Sequence, residues 1–203
     1  MNYLIMNEFF YFFIFLSYLL GSIPFGLLIS KLNGIDIRLH GSKNIGATNV
    51  FRVLGKKYGL ITFFLDALKG FIPTFFFPIF LNTNNLDINT IFGLLAIIGH
   101  TFPLFLKFKG GKGVATSAGM LMGVVPLILL IGLFIWIILF LIYRFVSLAS
   151  IISSIIIAIL VWFNNESSIY INFLITLMSL MIILLHRGNI KRLINGTENK
   201  FKK

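Results

Sequence analysis

One segment that could carry chemistry is GSKNIGATNVFRVLG, at residues 41–55. It combines small polar side chains, among them Ser42 and Asn44, with Arg52. An arginine presents a planar fork of N–H donors that matches a phosphate or carboxylate, and neutral donors around it can complete such a site. The segment therefore indicates anion binding, although a polar loop that only tethers to anionic lipid headgroups would use the same residue types.

A second candidate segment, KFKGGKGVAT, covers residues 107–116. Gly110, Gly111 and Gly113 surround Lys112 just before an apolar run, so backbone N–H groups and a helix N-terminus could approach an anion closely. The spacing differs from that of a Walker A motif. The pattern indicates a phosphate-binding loop, with a flexible basic turn at the membrane surface as the alternative.

A third segment, HRGNIKRLINGTENK at 186–200, follows the last apolar run. His186 and Asn189 are three positions apart, so they share a face if the helix continues. An imidazole at the membrane surface could accept a proton or only orient a hydroxyl. The orienting role is favoured, because no carboxylate lies within sequence range to fix the tautomer of His186.

Asp66, Lys69 and His100 are ionisable residues within apolar stretches. Asp66 and Lys69 are three positions apart, which predicts an intrahelical ion pair, although ionisable residues inside a membrane are functional candidates. His100 precedes Phe102 and Pro103 and is interpreted as a packing residue.

Several catalytic classes are disfavoured by what the sequence lacks. There is no cysteine, which excludes disulfides, zinc–thiolate sites and a thiol nucleophile. No histidine is followed five positions later by aspartate, the pair used by thioester-dependent acyltransferases. Only six acidic residues occur, and they form no cluster in the sequence that could hold magnesium. We therefore expect neither a metal nor a cofactor.

Composition predicts an all-α integral membrane protein. Hydrophobic residues make up 58% of the 203 residues, and charged residues only 11%. A soluble fold of this size could not bury so much apolar surface, so lipid must be the solvent. The net charge of +11 could suggest nucleic acid in a soluble protein, but here we expect no nucleic-acid partner because the charge follows the loops.

Apolar segments predict seven transmembrane helices, with no internal repeat and no soluble domain, hence one transmembrane domain over 1–203. The fourth is short and ends before Pro126; merging it with the fifth would give six spans instead. The seven segments are 3–29, 59–80, 90–106, 114–125, 127–143, 147–163 and 169–185.

Charge favours seven spans over six. With seven, all 17 Lys and Arg residues except Lys69 fall on one side of the membrane, and the opposite side carries only Glu8, Asp87 and Glu166 as charged residues. Since cytoplasmic loops are enriched in Lys and Arg, the N-terminus is predicted outside and the C-terminus in the cytoplasm. Six spans would place Arg144 and the basic tail outside.

Taken together, the motifs resemble those of the bacterial acyl-phosphate:glycerol-3-phosphate acyltransferase family, in order and across nearly the whole chain. The departures are Lys43, where the family usually has glycine, and Gly188, where it usually has glutamate. The matching segments are GSIPFG (21–26), GSKNIGATN (41–49), LDALKGFIP (65–73), GHTFPLFLKFKGGKGVAT (99–116), VSLAS (146–150) and HRGNIKRLINGTE (186–198).

The resemblance implies a seven-span enzyme, without a metal, at the inner face of the bacterial cytoplasmic membrane. It would move an acyl chain from acyl phosphate to the sn-1 hydroxyl of glycerol 3-phosphate, making lysophosphatidic acid and releasing phosphate. Because acyl phosphate has a good leaving group, alignment, charge stabilisation and removal of one proton remain as the tasks of the protein. His186 is the candidate base, with a substrate phosphate oxygen as the alternative.

Roles carry over by position. The resemblance implies that Ser42, Asn44 and Arg52 contact the substrate phosphate, with Ser42 counted among the catalytic residues. His186 and Asn189 would position the reacting hydroxyl, and Glu198 would be structural. The phosphate site would be completed by Lys112, its glycines Gly110, Gly111 and Gly113, and Ser150.

A carrier or channel for organic phosphates is the alternative function. It would use the same cations, but transporters usually show broken spans at corresponding places in repeated halves. This sequence shows no such repeat.

Overall fold

The computed structural model describes the backbone of residues 3–201 and the side chains of residues 8–201. Within that range the chain forms ten α-helices, three short 3-10 helices and no β-strand, which confirms the all-α prediction. The α-helices are α1 (Tyr3–Ser22), α2 (Phe25–Leu32), α3 (Ala47–Leu54), α4 (Lys56–Phe80), α5 (Leu86–Thr101), α6 (Val114–Val124), α7 (Pro126–Tyr143), α8 (Val146–Leu160), α9 (Ile169–Leu185) and α10 (Arg187–Ile194).

The first predicted span is broken. The segment 3–29 was expected to be one helix, but α1 ends at Ser22 and α2 begins at Phe25, with a bend of 40° between them. Pro24 has no N–H to donate and disfavours helical geometry at Ile23, so the helix cannot continue through this pair. Each of the other six predicted segments contains one principal helix.

The helices make the chain a multi-pass membrane protein. Among the described residues, four segments are long and apolar enough to cross a bilayer, and the two bent pairs α1–α2 and α9–α10 raise the number to six. Helix α6 has 11 residues, a length of about 17 Å against a hydrocarbon core of about 30 Å. Val125 separates α6 from α7, so the two are not one continuous helix.

The first compact unit is Met1–Val124. In it α4 packs against α3, α5 and α6, and α1 packs against α5. The α4–α6 contact requires glycine, because a Cβ at Gly70 would collide with the carbonyl of Thr116 and one at Gly119 with the carbonyl of Ala67. Small residues that let helix backbones touch are a main source of packing energy in membranes.

The second compact unit is Val125–Lys203. Helix α8 contacts α7, α9 and α10, and it buries a face of small residues. Four serines lie on that face, Ser147, Ser150, Ser153 and Ser154. The predicted single domain over 1–203 stays a prediction.

Candidate active site

The amide side chain of Asn49 fixes the turn that carries Ser42 and Asn44. Asn49 is 1% exposed. Its Oδ1 accepts from the backbone N–H of Ser42 at 2.9 Å, and its Nδ2 donates to the carbonyls of His40 at 3.0 Å and Asn44 at 2.9 Å. One buried amide thus uses its acceptor and both donors locally, while the Ser42 side chain stays exposed. The residue types of the segment alone do not indicate this role for Asn49.

Arg52 lies on α3, one turn after Asn49, and is half-buried. Arg52 therefore lies on the same short helix as Asn49, whose side chain holds the turn. The backbone from which its guanidinium extends is thus fixed relative to the turn. Lys43 lies in the turn itself with φ of 59°, in the left-handed region where a Cβ is disfavoured. The lysine thus stands at a backbone position that suits glycine.

The glycine loop, residues 107–113, packs on the end of α5. The N–H of Gly110 donates to the carbonyl of Thr101 at 3.1 Å, and the N–H of Gly111 donates to that of His100 at 3.0 Å. A Cβ at Gly111 would collide with Nε2 of His100. The glycine at 111 therefore permits close packing on α5, a reason for glycine that the sequence pattern did not indicate. The half-buried Lys112 follows directly.

Asp66, Lys69 and His100 form a buried charge cluster in the first unit. Lys69 Nζ lies 3.0 Å from Asp66 Oδ1, which confirms the predicted intrahelical ion pair. The same ammonium donates to the carbonyl of Ile23 at 2.8 Å, at the break between α1 and α2. His100 Nδ1 lies 3.6 Å from Asp66 Oδ1, so the histidine interpreted as a packing residue also joins this pair.

His186 is buried, at the 55° bend between α9 and α10. The condition for a shared helix face with Asn189 is not met, because α9 ends at Leu185 and α10 begins at Arg187. His186 Nδ1 lies 2.8 Å from the carbonyl of Ile182. A carbonyl can only accept, so Nδ1 carries the hydrogen, and in the neutral ring Nε2 keeps its lone pair.

Glu198 collects three side-chain donors in the second unit. Oε1 accepts from Ser147 Oγ at 2.8 Å and Asn189 Nδ2 at 2.7 Å, and Oε2 accepts from Arg192 Nε at 2.7 Å. Burial alone would raise the pKa of Glu198, but the hydrogen bonds from Asn189, Ser147 and Arg192 hold the pKa below its ordinary value. Glu198 therefore orients Asn189 as an anionic acceptor.

Ser150 lies on α8, where its Oγ accepts from Trp136 Nε1 at 3.0 Å. In this bond the serine uses its oxygen as the acceptor, and its own O–H is a separate donor. Farther along α8, a cavity of about 380 Å³ lies against α9, with apolar side chains such as Ile159, Leu180 and Ile183 in its walls.

A family profile described as glycerol-3-phosphate acyltransferase matches residues 11–196. The match covers most of the chain. The chain belongs to the glycerol-3-phosphate acyltransferase family. The predicted family and the predicted acyltransferase activity are thereby confirmed, and the carrier or channel is disfavoured.

Relatives in the family are similar over nearly their full length. The glycerol-3-phosphate acyltransferase of Aquifex aeolicus is 46% identical over 192 residues, which are 94% of this chain and 98% of that protein. The protein of the same name from Macrococcus caseolyticus is 49% identical over 192 residues, 93% of this chain and 96% of the relative.

Solved structures agree with the fold. The crystal structure of PlsY, an integral membrane glycerol 3-phosphate acyltransferase, in its glycerol 3-phosphate form matches with a TM-score of 0.89 and 43% identity, covering 95% of this chain and 96% of that chain. Its lysophosphatidic acid form matches with a TM-score of 0.87 and 42% identity, covering 95% of each chain.

Proposed function

We propose that this chain transfers an acyl group from acyl phosphate to the sn-1 hydroxyl of glycerol 3-phosphate. The hydroxyl oxygen bonds to the acyl carbonyl carbon, the bond from that carbon to the phosphate oxygen breaks, and lysophosphatidic acid and inorganic phosphate leave. The observation that carries this proposal is the likeness, over 95% of the chain, to the glycerol 3-phosphate and lysophosphatidic acid forms of an acyltransferase.

Phosphate recognition is assigned to the first unit and to Ser150. In this proposal Arg52 is a bidentate phosphate ligand and Lys112 a point charge. The buried amide of Asn49 supports Ser42 and Asn44 as fixed neutral partners. Gly110, Gly111 and Gly113 place Lys112 by letting the loop pack closely on α5.

Positioning of the reacting hydroxyl is assigned to His186 and Asn189. The hydrogen bond to the Ile182 carbonyl turns the lone pair of the neutral imidazole to Nε2, and Glu198 holds Asn189. Proton removal can then go to His186 Nε2 or to a phosphate oxygen of the substrates.

The apolar cavity between α8 and α9 is proposed to hold the acyl chain. Its wall includes Ile183, one turn before His186, and extends to Thr176, about 10 Å farther along α9. Replacing the small wall residue, Ala158→Leu, should shift the preferred acyl phosphate to a shorter chain, and an unchanged chain-length profile would contradict this assignment.

We further propose one catalytic domain in the bacterial cytoplasmic (inner) membrane, with seven spans, the N-terminus outside and the active site facing the cytoplasm. Charge distribution supports this topology, with α6 counted as a short span. Reporter fusions at residues 85 and 166 should signal outside, and fusions at 110 and 203 inside. A cytoplasmic signal at 166 would contradict the seven-span topology.

The donor is proposed to be acyl phosphate, and the reaction to need no metal. Among residues 8–201, no three His, Cys, Asp or Glu side chains group closely enough to hold an ion. Purified enzyme treated with a chelator should keep its activity, and acyl-CoA supplied instead of acyl phosphate should give negligible product. Efficient turnover of acyl-CoA would overturn the proposed donor.

A further inference from the structure

The buried charge cluster of Asp66, Lys69 and His100 has no part in the chemistry described above. The three side chains are 3–6% exposed, and none of them is assigned to a substrate contact. Burying an ion costs several kcal/mol, and apolar side chains of similar volume usually pack at least as stably. Packing alone therefore does not account for three ionisable groups at this point in the fold.

The contacts of the cluster link four segments of the first unit. Lys69 on α4 bonds to the carbonyl of Ile23, at the break between α1 and α2. Asp66 on α4 faces His100 in the last turn of α5. The glycine loop lies directly on His100, through a bond to its carbonyl and through the contact that Gly111 makes with its ring.

We propose that this cluster positions the glycine loop, and with it Lys112, for the phosphate of glycerol 3-phosphate. The inference rests on the proposed role of Lys112 in binding that phosphate. Asp66 Oδ1 pairs with Lys69 and lies 3.6 Å from the ring of His100. The ring limits how close the loop backbone lies to α5, and Lys112 is the residue after the contact. His100 is a positioning residue, since it acts through the loop.

A double-mutant cycle between His100 and Gly111 tests the contact. Gly111→Ala should raise the KM for glycerol 3-phosphate about 10-fold, with little change in kcat or in the KM for acyl phosphate, because the new Cβ displaces the loop from His100. In an enzyme that already carries His100→Ala, adding Gly111→Ala should raise that KM less than about 2-fold, because the colliding ring is gone. Equal effects of Gly111→Ala in both backgrounds would overturn the proposal.

His40 supplies the matched control, since its side chain is exposed. In a His40→Ala background, Gly111→Ala should keep its full effect of about 10-fold on KM. Where His100→Ala lowers the yield of folded enzyme, the cycle is run with His100→Gln, whose flexible amide can yield to the added Cβ.

A second variant separates positioning from stability. Asp66→Leu combined with Lys69→Met removes both charges at similar volume, so the melting temperature should fall only by the loss of the Lys69 bond to the Ile23 carbonyl. The KM for glycerol 3-phosphate should nevertheless rise at least about 5-fold, because the ring of His100 loses the carboxylate that lies beside it. A folded double variant with wild-type KM would overturn the proposal.

Lys112→Met, measured in parallel, distinguishes the phosphate-binding role of the glycine loop from the positioning role of the Asp66–Lys69–His100 cluster. A raised KM for glycerol 3-phosphate in Lys112→Met, together with additive effects in the His100–Gly111 cycle, would reject the positioning role alone. An unchanged KM in Lys112→Met would reject the phosphate role of the loop and the positioning proposal with it.

Discussion

Glu198 accepts a hydrogen bond from the side-chain amide of Asn189 at 2.7 Å, nine positions earlier in the chain. The same oxygen of Glu198 accepts a hydrogen bond from Ser147 on α8, and Ser147 lies 51 positions before Glu198 in the chain. The carboxylate thus fastens the segment after α10 to α8 while it orients a residue proposed to position the substrate hydroxyl.

Replacing this carboxylate should cost both stability and activity. Glu198→Gln removes an anionic acceptor from Ser147, Asn189 and Arg192, with an expected loss of about 1.5–3 kcal/mol in the free energy of unfolding. The lowered pKa of Glu198 means that its contribution is complete above the ordinary carboxyl pKa and is lost as pH falls through the lowered value. Thermal unfolding in detergent should therefore show the wild type losing its advantage over Glu198→Gln at acidic pH.

The exposed acid Glu166 provides the control for this prediction. Glu166→Gln should unfold like the wild type at every pH. An advantage of the wild type over Glu198→Gln that stays constant down to the most acidic pH would refute the proposed ionic role of Glu198.

For His186, the structure changes the prediction. The sequence favoured an orienting role because no carboxylate was in range to fix the tautomer, but the Ile182 carbonyl fixes it. We therefore expect His186 to act as the general base, so that His186→Ala lowers kcat by on the order of 10²–10⁴ with KM nearly unchanged. The rise of activity with pH should lose its inflection in this variant, while the exposed His40→Ala should keep it.

His186→Asn separates the two roles, because an amide can orient a hydroxyl but cannot take its proton. If His186 is the general base, His186→Asn should lose as much kcat as His186→Ala. If His186→Asn keeps much of the rate and the shape of the pH profile, the proton goes to a substrate phosphate instead.

Arg52 is predicted to bind phosphate through geometry as well as charge. Arg52→Lys keeps the charge but loses the planar fork, so kcat/KM should fall roughly 10- to 150-fold, the loss of about 1.5–3 kcal/mol expected for a charged hydrogen bond. Arg38→Lys is the matched control, because Arg38 forms an exposed ion pair with Asp36 at 2.6 Å that is worth little. Equal losses in the two variants would argue against a specific role for Arg52.

Lys43 is predicted to strain the first motif. At its φ of 59°, an L-residue costs about 1–2 kcal/mol, and glycine regains most of this despite its larger entropy loss on folding. Lys43→Gly should therefore stabilise the folded enzyme by about 0.5–1 kcal/mol, measured by thermal unfolding. Lys43→Ala removes the same charge but keeps the Cβ, so a gain as large in Lys43→Ala would assign the effect to charge and not to strain.

The sequence predicted most of the spans well because six of the seven are long apolar runs, a local signal. It missed the break after Ser22, although Pro24 was visible, because hydropathy alone continues through it. The site was less predictable because its supports come from distant parts of the chain. The contact of Asp66 with His100 and that of Ser147 with Glu198 depend on how helices pack.

The glycine loop shows the same limit on a smaller scale. Its residue types predicted anion-binding N–H groups, but those of Gly110 and Gly111 bond to α5. Only the fold reveals that a ring of His100 occupies the space beside Gly111. The role of Asn49 was likewise not predictable, because its three bonds to the turn form only where the chain folds back on itself.

The most direct test of the account is an assay of the purified protein in detergent, where no compartments exist and transport cannot register. With acyl phosphate and glycerol 3-phosphate as the only substrates and a chelator present, the account predicts equal amounts of lysophosphatidic acid and inorganic phosphate. Folded protein that forms no lysophosphatidic acid under these conditions, or forms it only when acyl-CoA or a metal is supplied, would contradict it.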